Sequence, residues 1–103
     1  MLCQFPLGHV VATPGAIQVL SPSDIKSALR RHQACDWGDV SSDDRETNDR
    51  AVVNRSRLLS AYHSDTGVCF WVITAGHRAE TMICLPSDVN GMSRASSLPD
   101  ASA

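Results

Sequence analysis

Five polar residues of this chain, His32, Arg57, Tyr62, Arg78 and Thr81, are of the types that cleave RNA without a metal. In that chemistry an imidazole takes the 2′-hydroxyl proton, a second group protonates the leaving oxygen, and guanidinium groups hold the phosphorane charge. Each residue also has an architectural reading. His32 falls in the last turn of an expected helix, where the dipole welcomes a cation, and Arg57 and Arg78 flank expected strands, where guanidinium groups cap carbonyls or pair with acids. Tyr62 suits a half-buried position with a wet hydroxyl. Other chemistries lack their residues. His9, His63 and His77 have no i,i+4 partner, Cys3, Cys35, Cys69 and Cys84 contain no CxxC spacing, and no metal or cofactor is implied. Ser60 and Cys69 have no neighbouring base, and Gly8, Gly15, Gly38, Gly67 and Gly76 read as turn glycines rather than a phosphate cradle.

A second constellation is electrostatic. Residues 36–49 hold six acids, Asp36, Asp39, Asp43, Asp44, Glu46 and Asp49, against the single Arg45. Carboxylates along a helix can occupy a groove built for phosphates, as inhibitors of nucleases do. The whole chain carries a net charge of only −2, so mimicry is confined to one local face. The architectural reading is a solvated helix whose acids serve its own N-terminal dipole. Trp37, between Asp36 and Asp39, is either a contact anchor on an exposed turn or a lid on the core. These residues favour a non-enzymatic role with a protein partner; nucleic acid is a partner only if RNA is cleaved, and no membrane contact is expected.

The elements that must position these groups follow from local signals. At 103 residues, 43% hydrophobic and 19% charged, the chain suits one core. Residues 5–12 form a strand candidate stopped by Thr13 and Pro14, which suit an N-cap and first helical position. Ser21-Pro22-Ser23-Asp24 reads as a capping box, opening a helix with Ile25, Ala28 and Leu29 on one face and an end near His32. Ser41-Ser42-Asp43-Asp44 opens a second, mostly polar helix after the Asp36-Trp37-Gly38-Asp39 turn. Residues 57–63 and 68–74 then read as a hairpin around 64–67, and residues 81–85 as a further strand ended by Pro86. The expectation is an α+β fold over residues 1–89, two or three short helices on a small antiparallel sheet of three or four strands, with a disordered tail at 90–103. The 68–74 run is apolar on both faces, which predicts a homodimer through Phe70, Trp71 or the last strand. Absence of a secretion signal and the apolar settings of Cys69 and Cys84 predict a cytoplasmic protein with reduced cysteines, with Cys35 exposed in a turn.

Several strings, Val11-Ala12-Thr13-Pro14-Gly15-Ala16, Arg31-His32-Gln33-Ala34-Cys35-Asp36-Trp37-Gly38-Asp39, Arg57-Leu58-Leu59-Ser60-Ala61-Tyr62 and Trp71-Val72-Ile73-Thr74, with Arg78, Thr81 and Leu85-Pro86 after them, resemble a family of small "plasmid-related" bacterial proteins of plasmids and integrative elements. The resemblance spans residues 8–88. It implies a mobile-element setting and a bacterial cytoplasm and brings no established activity; the anti-restriction or anti-CRISPR role expected here rests on the acidic segment 36–49, a product from which a mobile element would benefit. The chain departs from that family at Cys35, where the family has Gly, and at Ala75-Gly76-His77-Arg78, where it has Glu-Ala-Asp-Arg. The order of helices before an antiparallel sheet is also similar to the barnase/RelE-like toxins, which is the outline an RNA-cleaving role would need.

Overall fold

A computed structural model describes residues 5–88 of the chain, and the expected tail at 90–103 lies outside the described residues. The elements run β1 (His9–Ala12), α1 (Pro14–Val19), α2 (Pro22–Gln33), α3 (Ser42–Asn54), β2 (Leu58–His63), β3 (Cys69–Thr74) and β4 (Glu80–Cys84). The fold is α+β, with helices α1 to α3 and one four-stranded sheet among the described residues. Each helix starts where its cap residues dictate. Thr13 accepts from Ala16 N–H with Pro14 next, Ser21 and Asp24 form the reciprocal capping box, and Ser41 accepts from Asp44 N–H. Asp88 closes the far end of the described chain by accepting from the Thr13 hydroxyl and the Leu85 N–H.

The sheet order is β1-β4-β3-β2, with β2–β3 and β3–β4 antiparallel. β1, however, runs parallel to β4, so the sheet is mixed rather than antiparallel throughout. Everything from Thr13 to Ala79 intervenes between those two strands, and a connection of that length frees their pairing from hairpin geometry. The strand also starts later than residue 5. Gly8 turns the chain at φ +68, where an added Cβ would lie 2.4 Å from the Ala79 carbonyl carbon, and this diverts Phe5 into the interior.

Side chains alternate between two faces. On one, Tyr62, Phe70, Val72 and Ile83 pack with Ala16 and Leu20 of α1 and Ala28 of α2. Beside them Phe5, Trp37, Leu58 and Ala51 of α3 form a second cluster. The opposite face carries Leu59, Trp71, Ile73, Met82 and Cys84, and that cluster contains no residue of any helix. Phe70 is therefore sealed under the helices and not available for the dimer contact expected of it, whereas Trp71 stands half-buried on the other face.

The β2 edge is closed by other parts of the chain. Ala61 donates to Trp37 O and accepts from Asp39 N–H, while the Asn48 side chain of α3 donates to Leu59 O at 2.8 Å and accepts from Leu59 N–H at 3.2 Å. The carboxamide thus mimics a strand's own peptide group. Gly38 makes the approach possible: at φ +76, an added Cβ would meet Ala61 O at 2.1 Å. Replacing Asn48 with Leu should lower the unfolding free energy by ~1–2 kcal/mol in urea titration, because both Leu59 groups lose their partner in a partly buried place. Unchanged stability would show that water serves Leu59 equally well.

Candidate functional site

His32 lies on the inward stripe of α2 and is completely buried. Its Nδ1 is 2.6 Å from Ser60 Oγ of β2 and its Nε2 is 2.8 Å from Thr74 Oγ1 of β3. Thr74 Oγ1 lies 2.7 Å from Thr81 Oγ1 of β4, which donates to Leu7 O at 2.7 Å. That last carbonyl orders the protons of the whole chain. Leu7 O can only accept, so the Thr81 proton goes there; Thr74 must then donate to Thr81, and His32 Nε2–H to Thr74. The remaining ring nitrogen, Nδ1, accepts from Ser60. His32 is thus neutral, in its Nε2–H tautomer. Burial, assisted by the nearby Arg78 charge, holds its pKa down at about 3 against an ordinary 6.5. The expected cation at the end of α2 is Arg31 instead, which pairs with Asp36 at 2.8 Å and lies over the Tyr62 ring.

The other residues nominated for RNA cleavage do not join His32 at a solvent-open place. Arg78, buried at φ +62, donates to the carbonyls of Ala51, Ser56, Ala75 and Gly76 and sits over the Phe5 ring. It ties the end of α3 to the β3–β4 turn. Tyr62 donates to Asp36 O, and burial raises its hydroxyl pKa to about 12. Arg57 is exposed and lines a shallow recess with Asp44, Thr47, Asn48 and Leu59. Of the five, only His32 and Thr81 share one network, and no phosphodiester can reach an imidazole that has no accessible surface.

The acidic segment divides into neutralised and free groups. Asp36 is held by Arg31, whose hydrogen bond keeps its carboxyl below the usual carboxylate range. Asp39 Oδ2 lies 2.8 Å from His63 Nδ1, and Asp49 accepts from Trp37 Nε1–H at 3.0 Å. Asp43, Asp44 and Glu46 are exposed on α3 and have no ion pair among the described residues. Trp37 is not a contact anchor. Only 3% exposed, it stacks with Phe5 and meets the His32 ring edge-on, because the Gly38 turn folds its indole under α3. It is the lid.

No family model, curated protein or solved structure matches this chain.

Among the described residues no group of three His, Cys, Asp or Glu side chains could hold a metal ion, and no helix is long and apolar enough to cross a membrane. An open polar recess between α2 and the β2–β3 hairpin is lined by Asp24, Ser27, Arg31, Tyr62, His63 and Asp65. Its groups are largely engaged: Asp24 already accepts from the Ser21 and Asp65 backbone N–H groups, which lower its pKa. Of the cysteines, Cys84 sits as expected, and Cys69 and Cys35 do not. Cys84 is buried and its thiol pKa is pushed up to about 12, as an apolar setting demands. Cys69, at the hairpin end of β3, is exposed, and Cys35 is half-buried against the Phe5 and Trp37 cluster and disulfide-bonded, not a reduced thiol in an open turn.

Ser60, Thr74 and Asn48 hold the architecture yet carried no functional signal in the sequence. The period-2 alternation does place Ser60 beside Tyr62, and Thr74 beside Val72, on the face that α2 covers.

Proposed function

We propose that this is a non-enzymatic accessory protein of a mobile genetic element that binds a protein partner through the acidic outer surface of α3. One observation carries the reading. α3 runs for thirteen residues and buries only Asn48 and Ala51, and among the described residues Asp43, Asp44 and Glu46 have no ion pair. Asp36 and Asp39 lie beside that surface with their charges partly engaged, and Trp37 supports the turn from beneath. A partner with a basic groove, of the kind that holds a nucleic-acid backbone in restriction or CRISPR machinery, complements such a surface. The mobile-element setting rests on the resemblance of the sequence strings alone. RNA cleavage has no comparable support, since its general base would be sealed in the core.

The test is capture of a specific partner from a bacterial lysate by the wild-type chain and by a variant with Asp43→Lys, Asp44→Lys and Glu46→Lys. Capture should fall at least ~10-fold, while the folded fraction by circular dichroism stays unchanged. Equal capture would overturn the acidic surface. Purified protein should also leave single-stranded RNA intact in EDTA; cleavage would overturn the non-enzymatic reading.

A further inference from the structure

The two edges of the sheet are treated differently. β2 is covered by residues 37–39 and by the Asn48 carboxamide. At the other edge, His9 N–H donates to Ala79 O and Thr13 N–H to Ile83 O, so by strand alternation the peptide groups of Val10 and Ala12 face away from β4. Among the described residues nothing bonds to them. The same segment also concentrates exposed apolar side chains. Of the four large ones on the described surface, three lie at Val10 (38% exposed), Ile17 (61%) and Val19 (44%), within ten residues of one another on β1 and α1. An open edge and an apolar flank together mark a pairing surface.

We propose that β1 pairs antiparallel with β1 of a second copy, joining two four-stranded sheets into one of eight strands. The occupant follows from the geometry. Another copy cannot offer its β2 edge, which is covered, so among the described residues the sheet edge it can present is β1 itself. The register is self-complementary: with a twofold axis at Val11, Val10 of each copy lies opposite Ala12 of the other, and these pairs exchange the outward N–H and C=O groups. The two Val11 residues then face each other as the close, non-hydrogen-bonded pair, Cα atoms ~4.5 Å apart. α1 follows β1 directly, so the axis also brings both copies of Ile17 and Val19 to the flanks of the seam. A four-residue seam is small beside the ~800 Å² per partner of a standard interface, so the dimer is expected to form in the micromolar range, between about 10 and 100 μM. This surface is separate from the acidic side of α3.

Sedimentation equilibrium from about 5 to 500 μM spans that range. The wild-type chain should show a monomer–dimer equilibrium, and Val10→Pro should weaken it at least ~10-fold, since proline removes an outward N–H and no intramolecular bond. Ile17→Lys with Val19→Lys, outside the strand, should weaken it likewise and guards against a proline variant that fails to fold. Val11→Cys should give a disulfide-linked dimer on mild oxidation, because its Cα separation across the axis suits a disulfide, and His9→Cys should not. A wild-type chain monomeric throughout overturns the proposal. So does a dimer that survives both the proline and the lysine variants, or His9→Cys cross-linking in preference to Val11→Cys.

Discussion

Unfolding free energy should fall by ~2 kcal/mol between pH 6.5 and pH 4.5, and by ~4 kcal/mol by pH 3, through His32 alone. Its pKa is about 3 in the folded chain against 6.5 when free of the fold. The unfolded chain therefore takes up a proton below pH 6.5 that the native protein refuses. Stability from this source is complete above pH 6.5, declines as the pH falls through the window, and stops changing below about 3. Asp24 and Asp36, whose carboxyls are held below the ordinary 3.8, lose their contribution only as the pH falls below that value, so the upper part of the window belongs to His32. Urea titrations at half-unit pH steps measure the slope, and His32→Gln, which keeps an amide donor and acceptor in place of the ring, should remove it. A flat wild-type profile between pH 6.5 and 4.5, or a slope that persists in His32→Gln, would refute the neutral, hydroxyl-clamped imidazole.

Arg78→Met should cost ~3–4 kcal/mol, a large part of the stability of a domain this size. Four carbonyls, from Ala51, Ser56, Ala75 and Gly76, lose a charged donor, and the Phe5 ring loses the cation above it. Two of them, Ala51 O and Ala75 O, keep a backbone donor, which sets the upper bound. Arg78→Lys should recover only part, because one ammonium cannot reach acceptors spread around a planar fork. Chemical denaturation reads both variants. A loss below ~1 kcal/mol for Arg78→Met would mean that water replaces the guanidinium without penalty.

The helices were the most legible part of the chain because their starts depend on neighbouring residues: Thr13 with Pro14, Ser21 with Asp24, and Ser41 with the acids after it all act where they stand. The hairpin and the strand after it were equally local. The parallel placement of β1 depends on a partner some seventy positions away, which no short-range signal encodes. His32 is a subtler case. Its neighbours Arg30 and Arg31 suggested a cationic helix end, yet Ile25, Ala28, Leu29 and His32 share the i, i+3, i+4, i+7 stripe of a buried face. The periodicity already placed the ring inside; which hydroxyls would receive it depended on strand register. The acidic surface was visible in composition, but its division into engaged Asp36, Asp39 and Asp49 and free Asp43, Asp44 and Glu46 required the positions of Arg31, His63 and Trp37.

The Asn48 carboxamide on Leu59 also limits growth. A strand stack that ends in a side chain offers no template for the next molecule, so propagation from that side is blocked at its first step. Among the described residues β1 is the edge left open, and the pairing proposed for it would use that edge up at two subunits. Opening that side to further growth would take loss of both covers, because a substitution that strips Asn48 from its position uncovers Leu59 and leaves Ala61 bonded to Trp37 and Asp39.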